Sequence, residues 1–322
     1  MRRALTLLLA LILAGACANA GAQAYPAKPI RLVVGFAPGG AADYVARAIG
    51  ESLGRVVGQS IVIENRAGAG SSIAADFVAK SAPDGYTMLI ASPSSISVNP
   101  ALNPKLGYSL RDLAPITKVS TSPLLVAVNP AIGVSSIRDL IAAAKKAPGQ
   151  LNYATSGNGS APHLAGVLFT RLAGVDMVHV PFKGGGPAVQ SVLAGDTQVT
   201  FATPPSVLPL VQAGRLRALA VTSRLRTPLV PDLPGMEEAG LPGYEMSFWY
   251  GFFVPVATRP EIVKKLFDAT ISALQQPDVK QALAREGTET AASRSPEEFA
   301  AFLAEDAQFW VRLVKESGAK LD

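Results

Sequence analysis

Short apolar runs alternate with stretches of helical spacing along most of this chain. Ile30-Arg31-Leu32-Val33-Val34 reads as a strand, Phe36-Ala37-Pro38-Gly39-Gly40 as a turn, and residues 42–56 carry apolar residues at helical intervals. Ile61-Val62-Ile63 is a second strand, Gly68-Ala69-Gly70 opens a helix over residues 71–81, and residues 86–90 form a third strand. Strand, helix, strand, helix, strand predicts a parallel sheet with helices on both faces. The order then repeats. Strands are expected over residues 124–128, 151–154, 178–180, 199–201 and 216–221. Helices are expected over 136–147, 162–172, 207–213, and from Gly184-Gly185-Gly186-Pro187 to Ala194. This predicts a second α/β lobe.

The last quarter is helical. Arg259-Pro260-Glu261 starts one helix, and Ser295-Pro296-Glu297-Glu298 starts another with the spacing of a capping box. Before them, residues 246–254 form a dense aromatic strand, of the kind that lies in a core or at a domain junction. No low-complexity linker separates the lobes, so ordered crossovers are expected near Pro115 to Pro123 and near Pro234 to Ser247. Two crossovers divide the chain into lobe I, residues 25–122 and 247–322, and lobe II, residues 123–246.

The N-terminus breaks the pattern. Met1-Arg2-Arg3 is basic, residues 4–15 are apolar, and Ala18-Asn19-Ala20 and Ala22-Gln23-Ala24 follow. This is the three-part grammar of a secretory signal peptide, here residues 1–24, with cleavage expected after Ala24 and, as the alternative, after Ala20. Its apolar run is too short to span a bilayer. Cys17 is the only cysteine. It lacks the leucine expected three positions earlier at a lipidation site, so no lipid anchor is expected there. Without Cys17 the exported chain has no thiol for a disulfide, a cysteine metal site or a nucleophile. The formal charge is +5, of which Arg2 and Arg3 belong to the leader, and basic residues are scattered. That argues against a nucleic-acid stripe.

Catalytic constellations are missing. His163 and His179 are the only histidines and form no helical pair. His163 reads equally as a ligand contact or as a helix-start residue, and His179 as structural. There is no Gly-x-Ser-x-Gly elbow and no Gly-Lys-Ser/Thr. Gly68-Ala69-Gly70 and Gly157-Asn158-Gly159 begin like dinucleotide fingerprints, but Ile73 and Pro162 stand where the third glycine belongs. No enzyme, cofactor or metal is expected. What recurs is a Gly/Ser-rich turn opening a helix, at residues 36–40, 68–72, 156–160 and 184–187. Glycine lets a ligand approach the backbone, and free N–H groups at a helix start suit an anion. In open α/β sheets ligands bind beyond the carboxyl ends of the strands. Turns 36–40 and 156–160, one from each lobe, read either as plain Gly/Ser-rich loops or, the reading favoured for this pair, as two sides of a common cleft whose neutral donors would clamp a carboxylate.

The chain resembles the tripartite tricarboxylate transporter substrate-receptor family, also called the Bug family of periplasmic solute receptors. The matching segments include residues 25–31, 36–40, 62–70, 83–87, 151–160, 179–186, 214–221 and Trp249-Tyr250-Gly251, in family order. The resemblance implies a two-lobed Venus-flytrap fold, a type II periplasmic binding protein in which each lobe is a mixed sheet flanked by helices. It implies capture of a small organic carboxylate by a monomer that serves a membrane transporter or sensor. The ligand-binding residues expected are Phe36, Ala37, Pro38, Gly39, Gly40, Asp43, Ser92, Ser156, Gly157, Asn158, Gly159, Ser160, His163 and Thr203. Lys183 and Asp43 read equally as pocket charges or as surface and capping groups. One departure stands out: after Phe201, where the family often has an acidic or amide residue, this chain has Ala202-Thr203-Pro204. Its ligand is therefore expected to lack an amine.

Overall fold

The computed structural model describes residues 25–103 and 105–317. The expected signal segment, with Cys17, lies outside the described residues. Two mixed sheets with flanking helices make up the molecule. The first contains β1 (Ile30–Val34), β2 (Ile61–Asn65), β3 (Thr87–Ala91), β4 (Leu113–Pro123), β10 (Ser247–Pro255) and β11 (Glu289–Thr290), in the order β11-β4-β10-β3-β1-β2. The second contains β5 (Leu125–Val128), β6 (Asn152–Thr155), β7 (Val178–Pro181), β8 (Val199–Ala202) and β9 (Arg217–Val221), in the order β7-β6-β8-β5-β9. Strands β2, β1 and β3 are parallel, as the alternating pattern predicts. The neighbouring β10 runs antiparallel to both β3 and β4, which makes the sheet mixed.

Sequence patterning explains the layers. Strand β1 is buried on both faces, as a parallel strand covered by helices must be. Its Ile30, Leu32 and Val34 pack with Val45, Ile49 and Leu53 of helix α1 (Ala41–Val57), while Val33 packs on the other face with Ala74, Ala75 and Val78 of α2 (Ser72–Ala79). Strand β10 alternates in the same way. Phe248, Tyr250 and Phe252 face one core, and Trp249 and Phe253 the other.

The segment expected as a crossover at Pro115 to Pro123 is itself strand β4. It pairs along β10 and continues through Leu124 into β5, so a strand carries the chain from one sheet to the other. Pro115 is tolerated there because β11 pairs only with Ser120 and Thr121, leaving the Pro115 end of β4 on an edge. Helix α7 (Pro204–Gln212) begins earlier than its apolar spacing suggests, because Pro204 sits at a position where a missing N–H costs nothing. The remaining α-helices among the described residues are α3 (Asn99–Leu102), α4 (Ile137–Lys146), α5 (Ala161–Ala173), α6 (Gly185–Ala194), α8 (Pro260–Gln275), α9 (Pro277–Arg285) and α10 (Pro296–Ser317). Helix α9 was not anticipated; Gln276-Pro277 breaks α8 and starts it. At α10, Ser295 Oγ accepts the Glu298 N–H at 3.2 Å, but the Glu298 carboxylate accepts the Arg294 N–H, so the expected capping box is displaced by one residue. Among the described residues no helix is long and apolar enough to cross a membrane.

Candidate ligand-binding cleft

Each of the four turns singled out in the sequence precedes a helix, and helix starts from the two sheets meet in one cleft. Helix α1 starts at Gly40, α6 at Gly184 and α7 at Thr203, and none of these three positions supplies a side-chain cap to its own helix. Helix α5 is capped by Ser160, whose Oγ accepts the His163 N–H at 3.3 Å. The first four N–H groups of a helix have no partner within it, and together they form the positive end of the helix dipole. Gly40, Ala41 and Ala42 of α1, Pro162 of α5, Gly185 and Ala188 of α6, and Thr203 and Ser206 of α7 all line the same cavity. Phe36, Phe201, Phe248 and Tyr250 supply its apolar walls. No lining side chain is a carboxylate, amine, guanidinium, imidazole or thiol.

The cleft is closed. The Ala37 N–H donates to the Lys183 carbonyl across it at 3.0 Å. Gly184 has φ +155°, and a Cβ there would lie 3.0 Å from the Ala37 nitrogen. A Cβ on Gly159, which has φ +69°, would lie 2.1 Å from Asn99 Oδ1. Closure at this spacing requires glycine at both positions. The enclosed space is about 20 Å³. An adjoining opening of about 540 Å³ is lined by Phe36, Gly70, Ser156, Gly157, Asn158 and Lys183, among others.

The expected site residues divide into groups. Phe36, Gly40, Ser156 and Thr203 line the cavity, and Gly157 and Asn158 line the adjoining opening. Ala37 and Pro38 sit at the contact between the lobes, beside Gly184 and Gly186. Gly39 and Asp43 form a brace behind the first turn. The Asp43 carboxylate accepts the Gly39 N–H at 3.1 Å, the Asn65 amide at 3.1 Å and two bonds from Arg47 at 2.9 and 3.0 Å. The same Asn65 amide donates to the Phe36 carbonyl at 2.9 Å. Burial alone would raise the Asp43 carboxyl, but these bonds outweigh it and hold it below the usual carboxylate range. Asp43 thus shapes the turn and does not line the cavity. Gly159, Ser160 and His163 form a second brace, with the Gly159 N–H donating to His163 Nδ1 at 3.2 Å. Ser92 is fully buried after β3 and is not among the residues lining the cavity, although Ser94, two residues on, is.

Several cavity residues were missed. Ala41 and Ala42 are hidden in an apolar helix pattern, and Ser206 follows two prolines. Phe248 and Tyr250 could be found from the two-residue period of β10, which puts both on one face. Ala202, flagged as a departure, lines the wall. Among the described residues, no three His, Cys, Asp or Glu groups gather as a metal would need.

Two α/β lobes closing on a cleft lined by helix N-termini define a solute-binding protein. Residues 45–319 match the family model described as the tripartite tricarboxylate transporter family receptor, and the chain belongs to that family. It is 39% identical over 310 residues to the protein BugT of Bordetella pertussis, covering 96% of this chain and 95% of BugT. It superposes on the periplasmic binding protein BugD with a TM-score of 0.88 at 31% identity, covering 92% of this chain and 99% of BugD. A protein from R. palustris solved with adipate gives a TM-score of 0.88 at 35% identity, covering 92% of this chain and 100% of that one.

Proposed function

We propose that this chain is a periplasmic receptor that closes around a small organic carboxylate lacking an amine, and that it catalyses no reaction. One observation carries the proposal: the starts of α1, α6 and α7, none capped by the residue before it, converge on one cavity with no charged side chain in its wall. Neutral N–H donors at positive dipole ends stabilise a carboxylate without the desolvation cost of burying a lysine or arginine. Ala202 supports the preference against an amine. It stands beside Thr203 in the wall, so that part of the cavity offers no anionic partner to an ammonium group. The lining hydroxyls have no carboxylate, imidazole or amine beside them in the wall to activate them, which supports binding without turnover. Adipate, an amine-free dicarboxylate, in the related R. palustris structure supports the ligand class. In this proposal residues 1–24 direct export and are removed after Ala24, residues 25–122 with 247–322 form lobe I, residues 123–246 form lobe II, and the monomer delivers its ligand to a membrane transporter or sensor.

A thermal-shift screen of small carboxylates tests this, followed by calorimetric titration. A ligand that binds only the native state must raise the melting temperature. The expected result is stabilisation by one or more simple dicarboxylates, with the ligand recovered unchanged. Tight binding of aspartate or glutamate with none of amine-free acids overturns the ligand preference, and consumption of the ligand overturns the receptor.

A further inference from the structure

Two hydroxyls cross the cleft in opposite directions. Ser206 Oγ, on the first turn of α7 in lobe II, accepts the Ala41 N–H of α1 in lobe I at 3.0 Å. Ser94 Oγ, in lobe I, accepts the Ala161 N–H of α5 in lobe II at 3.2 Å. All four residues are buried. Each recipient N–H is one its own helix leaves unfilled. Helix α1 begins at Gly40, which has no side chain to cap with. In α5 the cap Ser160 spends its hydroxyl on His163, and Pro162 has no N–H, so Ala161 carries the remaining donor of the first turn. An N-cap is normally supplied by the residue just before its helix. Here the opposite lobe supplies it.

We propose that Ser94 and Ser206 are positioning residues for ligand capture: each caps a helix of the opposite lobe only when the cleft is shut, which couples closure to the helix ends that hold the ligand. The inference rests on the receptor function proposed above. In an open form both N–H groups face water, so each bond contributes only the small net difference between a protein and a water partner. Closure without ligand is then nearly balanced, and a modest ligand contact tips it. Ser206 also links the two events. Its Oγ lies 3.2 Å from Thr203 Oγ1 and lines the cavity, so its O–H is free to turn from Thr203 to a ligand oxygen while its lone pair keeps the Ala41 N–H. Removing either hydroxyl leaves a buried N–H unfilled in the closed form, a loss that speeds opening.

The test compares wild type with Ser94→Ala, Ser206→Ala and the corresponding Thr variants, all in the full exported chain. Small-angle scattering without ligand reads closure directly, and stopped-flow with adipate as the probe reads release. The expected result is a larger radius of gyration for each Ala variant without ligand, and adipate release faster by roughly tenfold for each. Release in the double variant is expected to be faster by about the product of the two, and the Thr variants are expected to restore both readouts. Ala variants that scatter like wild type without ligand overturn the inference, even where adipate affinity falls, because a group that only touched ligand would behave that way. A wild type that binds none of the carboxylates screened overturns the receptor proposal instead, and the ligand-free scattering still decides on the two serines.

Discussion

The rings of His163 and His179 lie 4.0 Å apart and nearly parallel, at 16°, the first on the opening turn of α5 and the second on the edge strand β7. His179 Nε2 meets Thr155 Oγ1 at 2.6 Å, and the Tyr153 ring covers it at 5.1 Å. Burial, and then the His163 charge, push the His179 imidazole down to about 3. The pair therefore supports the α5 turn from behind.

That depression sets a pH dependence. An unfolded imidazole takes up its proton near pH 6.5, whereas folded His179 stays neutral until about pH 3. Between those values the unfolded state binds one more proton, so stability falls as pH falls. The slope expected from this residue is about 1.4 kcal/mol per pH unit. His179→Gln, which is neutral throughout, is expected to be less stable than wild type at pH 7 and to show a shallower loss between pH 6 and 4. Urea unfolding across that range measures both.

Asp43 is expected to govern binding without touching ligand. Asp43→Ala leaves the Gly39 N–H and one Asn65 donor without their carboxylate partner and frees Arg47, which is more than half exposed. Both donors are only partly buried and water can replace the lost partner in part, so each costs about 1 kcal/mol. The expected outcome is a destabilised chain whose affinity for amine-free carboxylates falls by about tenfold or more, because the Phe36 to Gly40 turn loses its fixed shape. Arg47→Ala is expected to have a smaller effect, since it removes only the exposed partner. Calorimetry on both variants measures the difference. The carboxyl is held below its usual range, so its contribution is present at neutral pH and is lost as pH falls below about 4.

Much of this arrangement was legible in the chain because strand and helix periods differ, and because Gly/Ser turns mark where strands become helices. Ile30 to Val34, Ile61 to Ile63 and the turn at Phe36 were placed by that means alone. The passage at Pro115 to Pro123 was not, because its prolines point away from a strand; the pairing with β10 makes it one, and the short β11, which leaves the Pro115 end on an edge, shows why that proline is tolerated. The site was legible as backbone turns and obscure as side chains. Ser206 and Ser94 contribute through residues 165 and 67 positions away in sequence. No local spacing encodes a bond between two lobes. Asp43 was visible as an acid near a helix start, but its role depends on Asn65 and Arg47, which only the fold brings to it.

Asp306 on α10 offers a second titration of opposite sign. Its carboxyl is mostly buried beside the indoles of Trp249 and Trp310. Burial raises it to about 6, although both indole N–H groups and the Lys118 charge favour the ionised form. Neither indole N–H reaches a partner in full hydrogen-bond geometry, nor does Asp306 Oδ2. An unfolded Asp ionises near pH 3.9. Between there and pH 6 the folded state holds the extra proton, so rising pH lowers stability. Asp306→Asn is expected to match wild type near pH 4 and to exceed it above pH 6, by up to about 3 kcal/mol. Chemical denaturation at pH 4.5 and 7.5 separates the two.

Ala202 gives the sharpest control on ligand choice. It ends β8, is buried, and lies in the cavity wall next to Thr203 at the start of α7. Ala202→Asp places an acid among neutral groups. Its charge opposes a carboxylate ligand and is attracted to an ammonium. Without a ligand amine, the new carboxylate is buried with no cation in the cavity wall, so the empty variant is expected to be less stable than wild type by roughly 1–3 kcal/mol. Affinity for amine-free dicarboxylates is expected to fall by about tenfold or more, since like charges in a dry cleft repel strongly. Affinity for aspartate or glutamate is expected to rise relative to them, because the ammonium of those ligands pairs with the new carboxylate. Titration of succinate and aspartate into both proteins gives four affinities. If their ratio does not change on substitution, the residue at 202 does not set the preference, and the ligand in the closed cleft lies away from the end of β8.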